Sequence, residues 1–195
     1  MLPPRLLFLV SLGAVTSPWL AAEVPAITPD PWVSYMTPSR EHAKLERFTG
    51  TWQTSVRLWL APHQAPAEFS LKAETDMTLG GRFHRTRLLG MMQGMVFEEI
   101  ACVGFDNATR QFTRTVANTF GTGLLVLTGT WKEADHVIEF QGTTTNPANQ
   151  AAVHVRQRLT FVDLDTLLLE NFERSGAADE VKTMEQRFTR LARAD

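Results

Sequence analysis

The sequence predicts an all-β protein: a closed antiparallel meander β-barrel of about ten strands, preceded by a short N-terminal helix. Three observations lead there. From Gly50 to the C-terminus, apolar residues recur with strand period in one short segment after another. Turn-forming pairs such as Gly80-Gly81 join neighbouring segments closely enough for hairpins. Between the segments no stretch is long and periodic enough for a crossover helix, so the pairing is expected to be antiparallel throughout.

The elements follow in order. Arg5, an apolar run from Leu6 to Val15 and the small residues Ala21 and Ala22 have the layout of a secretory signal peptide, with cleavage after Ala22. The apolar stretch is broken by Pro18 and falls short of the roughly 20 residues that span a bilayer. No cysteine stands at the cleavage point to carry a lipid. Residues 1–22 are therefore expected to be removed, leaving a periplasmic or secreted protein without stable membrane insertion. Residues 23–36 hold Pro25, Pro29 and Pro31 and read as a Pro-rich linker that can drape Trp32 and Tyr35 over the body as a lid. Residues 37–195 are the barrel domain. Thr37 before Pro38 starts a helix running to Phe48, because the hydroxyl can cap free N–H groups and proline fixes the first helical φ. His42, Leu45 and Phe48 share one face of it.

Strands come next. Val56, Leu58 and Leu60 alternate with polar residues. Phe69 to Leu79 and Phe83 to Leu89 flank Gly80-Gly81; Met95 to Phe105 and Phe112 to Phe120 flank the turn Asp106-Asn107-Ala108-Thr109. Leu124 to Trp131, Val137 to Thr143, Val153 to Val162, Thr166 to Phe172 and Val181 to Leu191 complete the set. Such a meander can stack as a sandwich or close as a barrel. Closure is the expectation, because it removes the free strand edges that an exported chain without disulfides tolerates poorly. Cys102 is the only cysteine, which excludes an intramolecular disulfide and any multi-thiolate metal site. The chain carries 19 Lys and Arg against 21 Asp and Glu, with both signs mixed along its length, which argues against a nucleic-acid partner.

Gly50-Thr51-Trp52 at the first strand, directly after a short helix, resembles the Gly-x-Trp signature of lipocalin and calycin barrels. With His42 and Leu45, Gly80-Gly81-Arg82, Gly104-Phe105-Asp106-Asn107 and Phe188-Thr189-Arg190, the order of motifs resembles a bacterial family known as domain of unknown function 1579. The resemblance runs from about Pro38 to Leu191, with Phe105 where that family more often has Tyr. It implies a lipocalin-like fold and no particular activity. By the same resemblance Trp52 plugs one barrel end and Arg190 lies over its ring as a structural lock, with Arg187 as second choice.

Chemistry is sparsely signalled. The five histidines (His42, His63, His84, His136, His154) show no tight metal-ligating spacing, and no nucleophile elbow or phosphate loop is present. Neither a metal site nor a cofactor is expected. Met91, Met92 and Met95 surround Gln93-Gly94; thioethers can bind Cu(I), but adaptable packing at a barrel mouth is the simpler use. Arg82, Arg85 and Arg87 lie in one expected strand with His84, and Arg156 and Arg158 in another with His154. If either face points inward it makes an anion-recognising or acid–base pocket; if outward, a solvated face paired with Asp and Glu. The candidate ligand-binding residues are Arg82, His84, Met95, Phe97 and Arg156, and His84 and His154 are the acid–base candidates. The expected partner is a small apolar or amphipathic molecule held in the barrel. The alternatives are a cofactor-independent isomerase, cyclase or hydrolase using the same cavity, and a haem-binding barrel like the nitrobindins.

Overall fold

The structure, a computed structural model, describes residues 30–61, 63–133 and 136–193; the expected signal peptide and the first half of the expected linker lie outside them. The described residues form β1 (Gly50–Leu58), β2 (Ala67–Thr78), β3 (Phe83–Met92), β4 (Met95–Asp106), β5 (Gln111–Asn118), β6 (Leu125–Lys132), β7 (Val137–Thr145), β8 (Ala152–Asp163), β9 (Thr166–Ser175) and β10 (Val181–Arg193). Each strand pairs antiparallel with the next, and β10 closes on β1, so the meander is a closed barrel of ten strands. Closure is continuous along β1, which pairs with β2 on one side and β10 on the other from Gly50 to Leu58.

Alternation sorts the side chains. On β1, Trp52, Thr54 and Val56 are buried while Thr51, Ser55 and Arg57 are exposed. Leu71, Ala73 and Thr75 do the same on β2, and Val153, Val155 and Gln157 on β8. One end of the barrel carries two helices, α1 (Pro31–Met36) and α2 (Arg40–Glu46). The other end, the mouth, carries the β1–β2, β3–β4, β5–β6, β7–β8 and β9–β10 connections.

Several expectations are corrected at the helix end. The second helix starts from Ser39, whose backbone N–H donates to His42 Nδ1 at 2.9 Å, and not from Thr37. Thr37 instead ends α1, its N–H donating to Val33 O at 3.1 Å. The last part of the presumed linker is that helix: Asp30 caps it through Trp32 N–H at 2.7 Å and Pro31 supplies the first helical φ. Asp30-Pro31 is the same kind of start signal as Thr37-Pro38. No residue of α1 is buried, and Trp32 stays 70% exposed, so this segment is no lid over the mouth. The Gly80-Gly81 hairpin is wider than two residues: Thr78 pairs with Phe83, Arg82 N–H donates to Thr78 O, and Leu79, Gly80 and Gly81 all take positive φ. Arg82 thus belongs to the turn and shares no strand face with His84.

The helix end is sealed by Trp52, fully buried, whose indole N–H donates to Thr75 Oγ1 at 3.0 Å; Thr75 in turn donates to Phe48 O at 2.7 Å. Arg190 lies with its guanidinium carbon 4.0 Å from the centre of the Trp52 ring. It donates to the carbonyls of Thr49, Arg47 and Leu164 and to the Asp165 carboxylate. That geometry explains Gly50, which has φ +136°, and where a Cβ would come within 2.2 Å of Ala192 O and 3.0 Å of Arg190 Nη1. Phe48, Phe161, Trp131, Phe112 and Phe105 form a floor of successive ring contacts at 4.5–5.5 Å between centroids.

Trp52→Ala should cost about 3–5 kcal/mol, the range for large-to-small core changes. Arg190→Ala should cost less, about 1–2 kcal/mol from the lost ring contact and carbonyl hydrogen bonds. Urea denaturation measures both; an unchanged midpoint for Trp52→Ala would contradict the lock.

Candidate functional site

Inside the barrel, four strands place a buried polar side chain among the apolar residues of their inward face. On β5, Arg114 stands between Phe112 and Val116. On β4, Glu99 stands between Phe97 and Ala101. Gln157 follows Val153 and Val155 on β8, and Asn171 follows Leu167 and Leu169 on β9. Glu99 and Arg114 come from adjacent strands, as do Gln157 and Asn171, whereas Arg114 reaches Gln157 across the inner faces of β6 and β7.

Arg114 Nε–H donates to Gln157 Oε1 at 2.8 Å, and Gln157 Nε2 donates to Asn171 Oδ1 at 3.1 Å. Asn171 Nδ2 then donates to Thr183 Oγ1 at 2.8 Å and to Glu173 Oε1 at 3.0 Å. On the other side of the guanidinium, Glu99 Oε1 is 4.0 Å from Nη2, and the two side chains are only 6–7% exposed. That separation is an ion-pair distance and too long for a hydrogen bond. Burial pushes the Glu99 carboxyl above the usual carboxylate range, with Arg114 and a hydrogen bond from Asn118 pulling it partway back. Burial likewise lowers the Arg114 guanidinium, against the opposing pull of Glu99. Desolvation therefore outweighs pairing at both groups. Two further oxygens on the same inner wall, Thr54 Oγ1 on β1 and Gln186 Oε1 on β10, are buried without a hydrogen-bond partner among the described residues.

The candidates read from the sequence are scattered by comparison. Phe97 is buried inside, against Phe120 at 5.0 Å between ring centres. Met95 is exposed at the mouth, as is Met91, while Met92 turns in and is buried. Arg82 sits outside the barrel wall and donates to Met36 O, Leu79 O and Gly80 O, tying α1 to the turn. Arg156 is on the outer face, paired with Glu180 and Glu139, and Arg158 pairs with Glu133. His154 is exposed on that outer face, because Val153, Val155 and Gln157 occupy the inward set. Arg85 and Arg87 face out as well, bonded to Asp76 and Glu98.

His84 does point inward. Its Nε2 lies 3.2 Å from Phe48 O, an acceptor only, which makes the ring the Nε2–H tautomer. Burial lowers its pKa to about 4, so it is neutral at pH 7 and fastens the end of α2 to β3. Glu99, Arg114, Gln157 and Asn171 were not singled out by sequence; their signal is a lone polar residue within an apolar alternation set.

The family described as protein of unknown function (DUF1579) matches residues 37–190. The chain belongs to this family. No curated protein matches it. Among solved structures, Rv2717c from M. tuberculosis is similar in fold, with a TM-score of 0.55 at 15% identity over 80% of this chain and 100% of that one. A redesigned beta barrel gives a TM-score of 0.40 at 9% identity, over 76% of this chain and 95% of that one.

The neutral, buried His84 makes stability depend on pH. The unfolded chain takes up this proton near pH 6.5, and the folded chain only near pH 4. Between those values acid favours the unfolded state, so stability should fall by about 3 kcal/mol as pH drops from 6.5 to 4, and this contribution should not change further below that. In His84→Gln, which keeps a donor for Phe48 O, that part of the slope should vanish in urea titrations across this range. An identical slope in wild type and variant would contradict the assignment.

Proposed function

We propose that this chain is an exported, lipocalin-like binding protein that holds a small apolar or amphipathic molecule inside its barrel. The observation that carries the reading is the buried polar chain centred on Arg114, together with the unpartnered oxygens of Thr54 and Gln186 on the same inner surface. A barrel interior evolved for packing alone gains nothing from such groups, since each buried polar atom without a partner costs about 1–3 kcal/mol. A ligand pocket needs this composition: apolar walls and a few converging polar groups.

The mouth supports the same reading. Leu60, Met91, Met95, Val96, Phe120 and Leu124 are exposed around it, an apolar rim across which a poorly soluble molecule can pass. The opposite end is closed by Trp52, Arg190 and α2, which leaves the mouth as the route in. Lipocalin likeness draws support from Gly50-Thr51-Trp52 and from Arg190 lying over the Trp52 ring. The enzyme alternative draws no support from its two histidines, because the His84 N–H is committed to Phe48 O and His154 stands outside the wall. Export rests on the leader-like sequence of residues 1–22, and the exported protein should begin at Glu23 by intact mass.

An environment-sensitive apolar dye titrated into the folded protein should saturate at one molecule per chain, be displaced by a long-chain amphiphile, and be lost on unfolding. Absence of saturable binding would contradict the proposal.

A further inference from the structure

Resting on the reading that the barrel interior is a ligand site, we infer that Arg114 is the receptor for an acidic head group, and that the ligand is a long-chain carboxylic acid bound head-down. A guanidinium has five N–H donors in a fixed fork. Among the described residues only Nε–H of Arg114 makes a hydrogen bond, to Gln157; Glu99 stays 4.0 Å from Nη2. The outer edge of the fork, Nη1 and Nη2, is therefore left for a planar oxyanion, which accepts two parallel N–H bonds from such an edge.

The surroundings set the ligand's direction. β5 runs from the helix end to the mouth, while β4 and β8 run the other way. On the mouth side of Arg114, Glu99 and Gln157 the inward residues Val116, Phe97, Val155 and Val153 are buried and apolar, while the polar residues Asn118 on β5 and Glu173 on β9 are engaged with Glu99 and Asn171. On the helix side lies the aromatic floor of Phe105, Phe112 and Trp131. A head on Arg114 thus leaves an apolar tail one direction to take, toward the exposed rim of the mouth. Gln157 fixes the fork's orientation through Nε, with Asn171 holding Gln157 in turn, so the receptor is preorganised from behind. Glu99 serves as the resident counter-charge. Held above the usual carboxylate range by burial, it gives up its claim on the guanidinium more readily than an exposed Glu would.

The test compares dodecanoate with dodecan-1-ol, which share a chain and differ in the head, by displacement of the bound dye from the full folded protein at neutral pH. Wild type should bind the acid about tenfold or more tightly than the alcohol. Glu99→Gln/Arg114→Gln, which removes both charges together and leaves neither stranded, should lose that preference. Arg87→Gln, an exposed arginine outside the wall, should keep it. If the double variant does not fold, the Nε–H resonance of Arg114 in the wild type serves in its place and should shift on titration with the acid but not with the alcohol. Equal affinity for acid and alcohol in wild type, a preference that survives the double variant, or an Arg114 resonance indifferent to the acid overturns the assignment while the binding reading stands. Failure of both molecules to displace the dye, or to bind at all, overturns both.

Discussion

A guanidinium at the centre of an apolar barrel is the constraint around which the interior is arranged. Taking such an ion out of water costs several kcal/mol even after the protein relaxes, and attraction to a partner repays this only with good geometry and further hydrogen bonds. Arg114 gets its direct hydrogen bond from Gln157 and a distant counter-charge from Glu99. The bond to Gln157 is extended by Asn171 to Thr183 and Glu173, so that β4, β5, β8, β9 and β10 all contribute to holding one charge. A slip of one residue in any of these strands would turn its polar member outward and an apolar set into solvent.

The two ends of the barrel are built on opposite principles. At the helix end, the buried polar side-chain atoms other than Asn107 Oδ1 find partners among the described residues and rings stack: Trp52 on Thr75, Thr75 and His84 on the Phe48 carbonyl, Arg190 on three carbonyls and a carboxylate. At the mouth, large apolar side chains remain exposed and the connections carry no plug comparable to Trp52 among the described residues. Such an asymmetry places rigidity where the sheet closes and access where a ligand enters, with the charged group between them.

The ten strands and their order were legible because alternation and turn residues agree along the chain. The helix start was misplaced by two residues because Thr37-Pro38 and Asp30-Pro31 carry the same capping signal, and Thr37 was already used at the end of α1. The charged strand segments drew attention through their density: Arg85, Arg87, Arg156 and Arg158. Density is a property of outer faces, where each of these arginines finds an acidic neighbour, as Arg85 finds Asp76 on β2 and Arg156 finds Glu139 on β7. An interior charge looks different, being a single polar residue in an apolar set, as Arg114 is between Phe112 and Val116. His84 and His154 could have been separated the same way, since His84 shares its set with Leu88 and Met92 whereas His154 shares its set with Arg156 and Arg158. What sequence alone did not show is that the isolated polar residues of distant strands meet, because that depends on the register of the closed sheet.

The central claim is that Arg114 and Glu99 are kept for a ligand and not for the fold. Its most direct test is equilibrium urea denaturation of Glu99→Leu/Arg114→Met, which replaces the pair by apolar side chains of similar length. Buried ion pairs replaced in this way commonly leave stability unchanged or raise it by about 1–4 kcal/mol. The double variant should therefore be at least as stable as wild type while losing its selectivity for an acidic head. A loss of about 3 kcal/mol or more would show that the pair holds the barrel together, and would contradict the account.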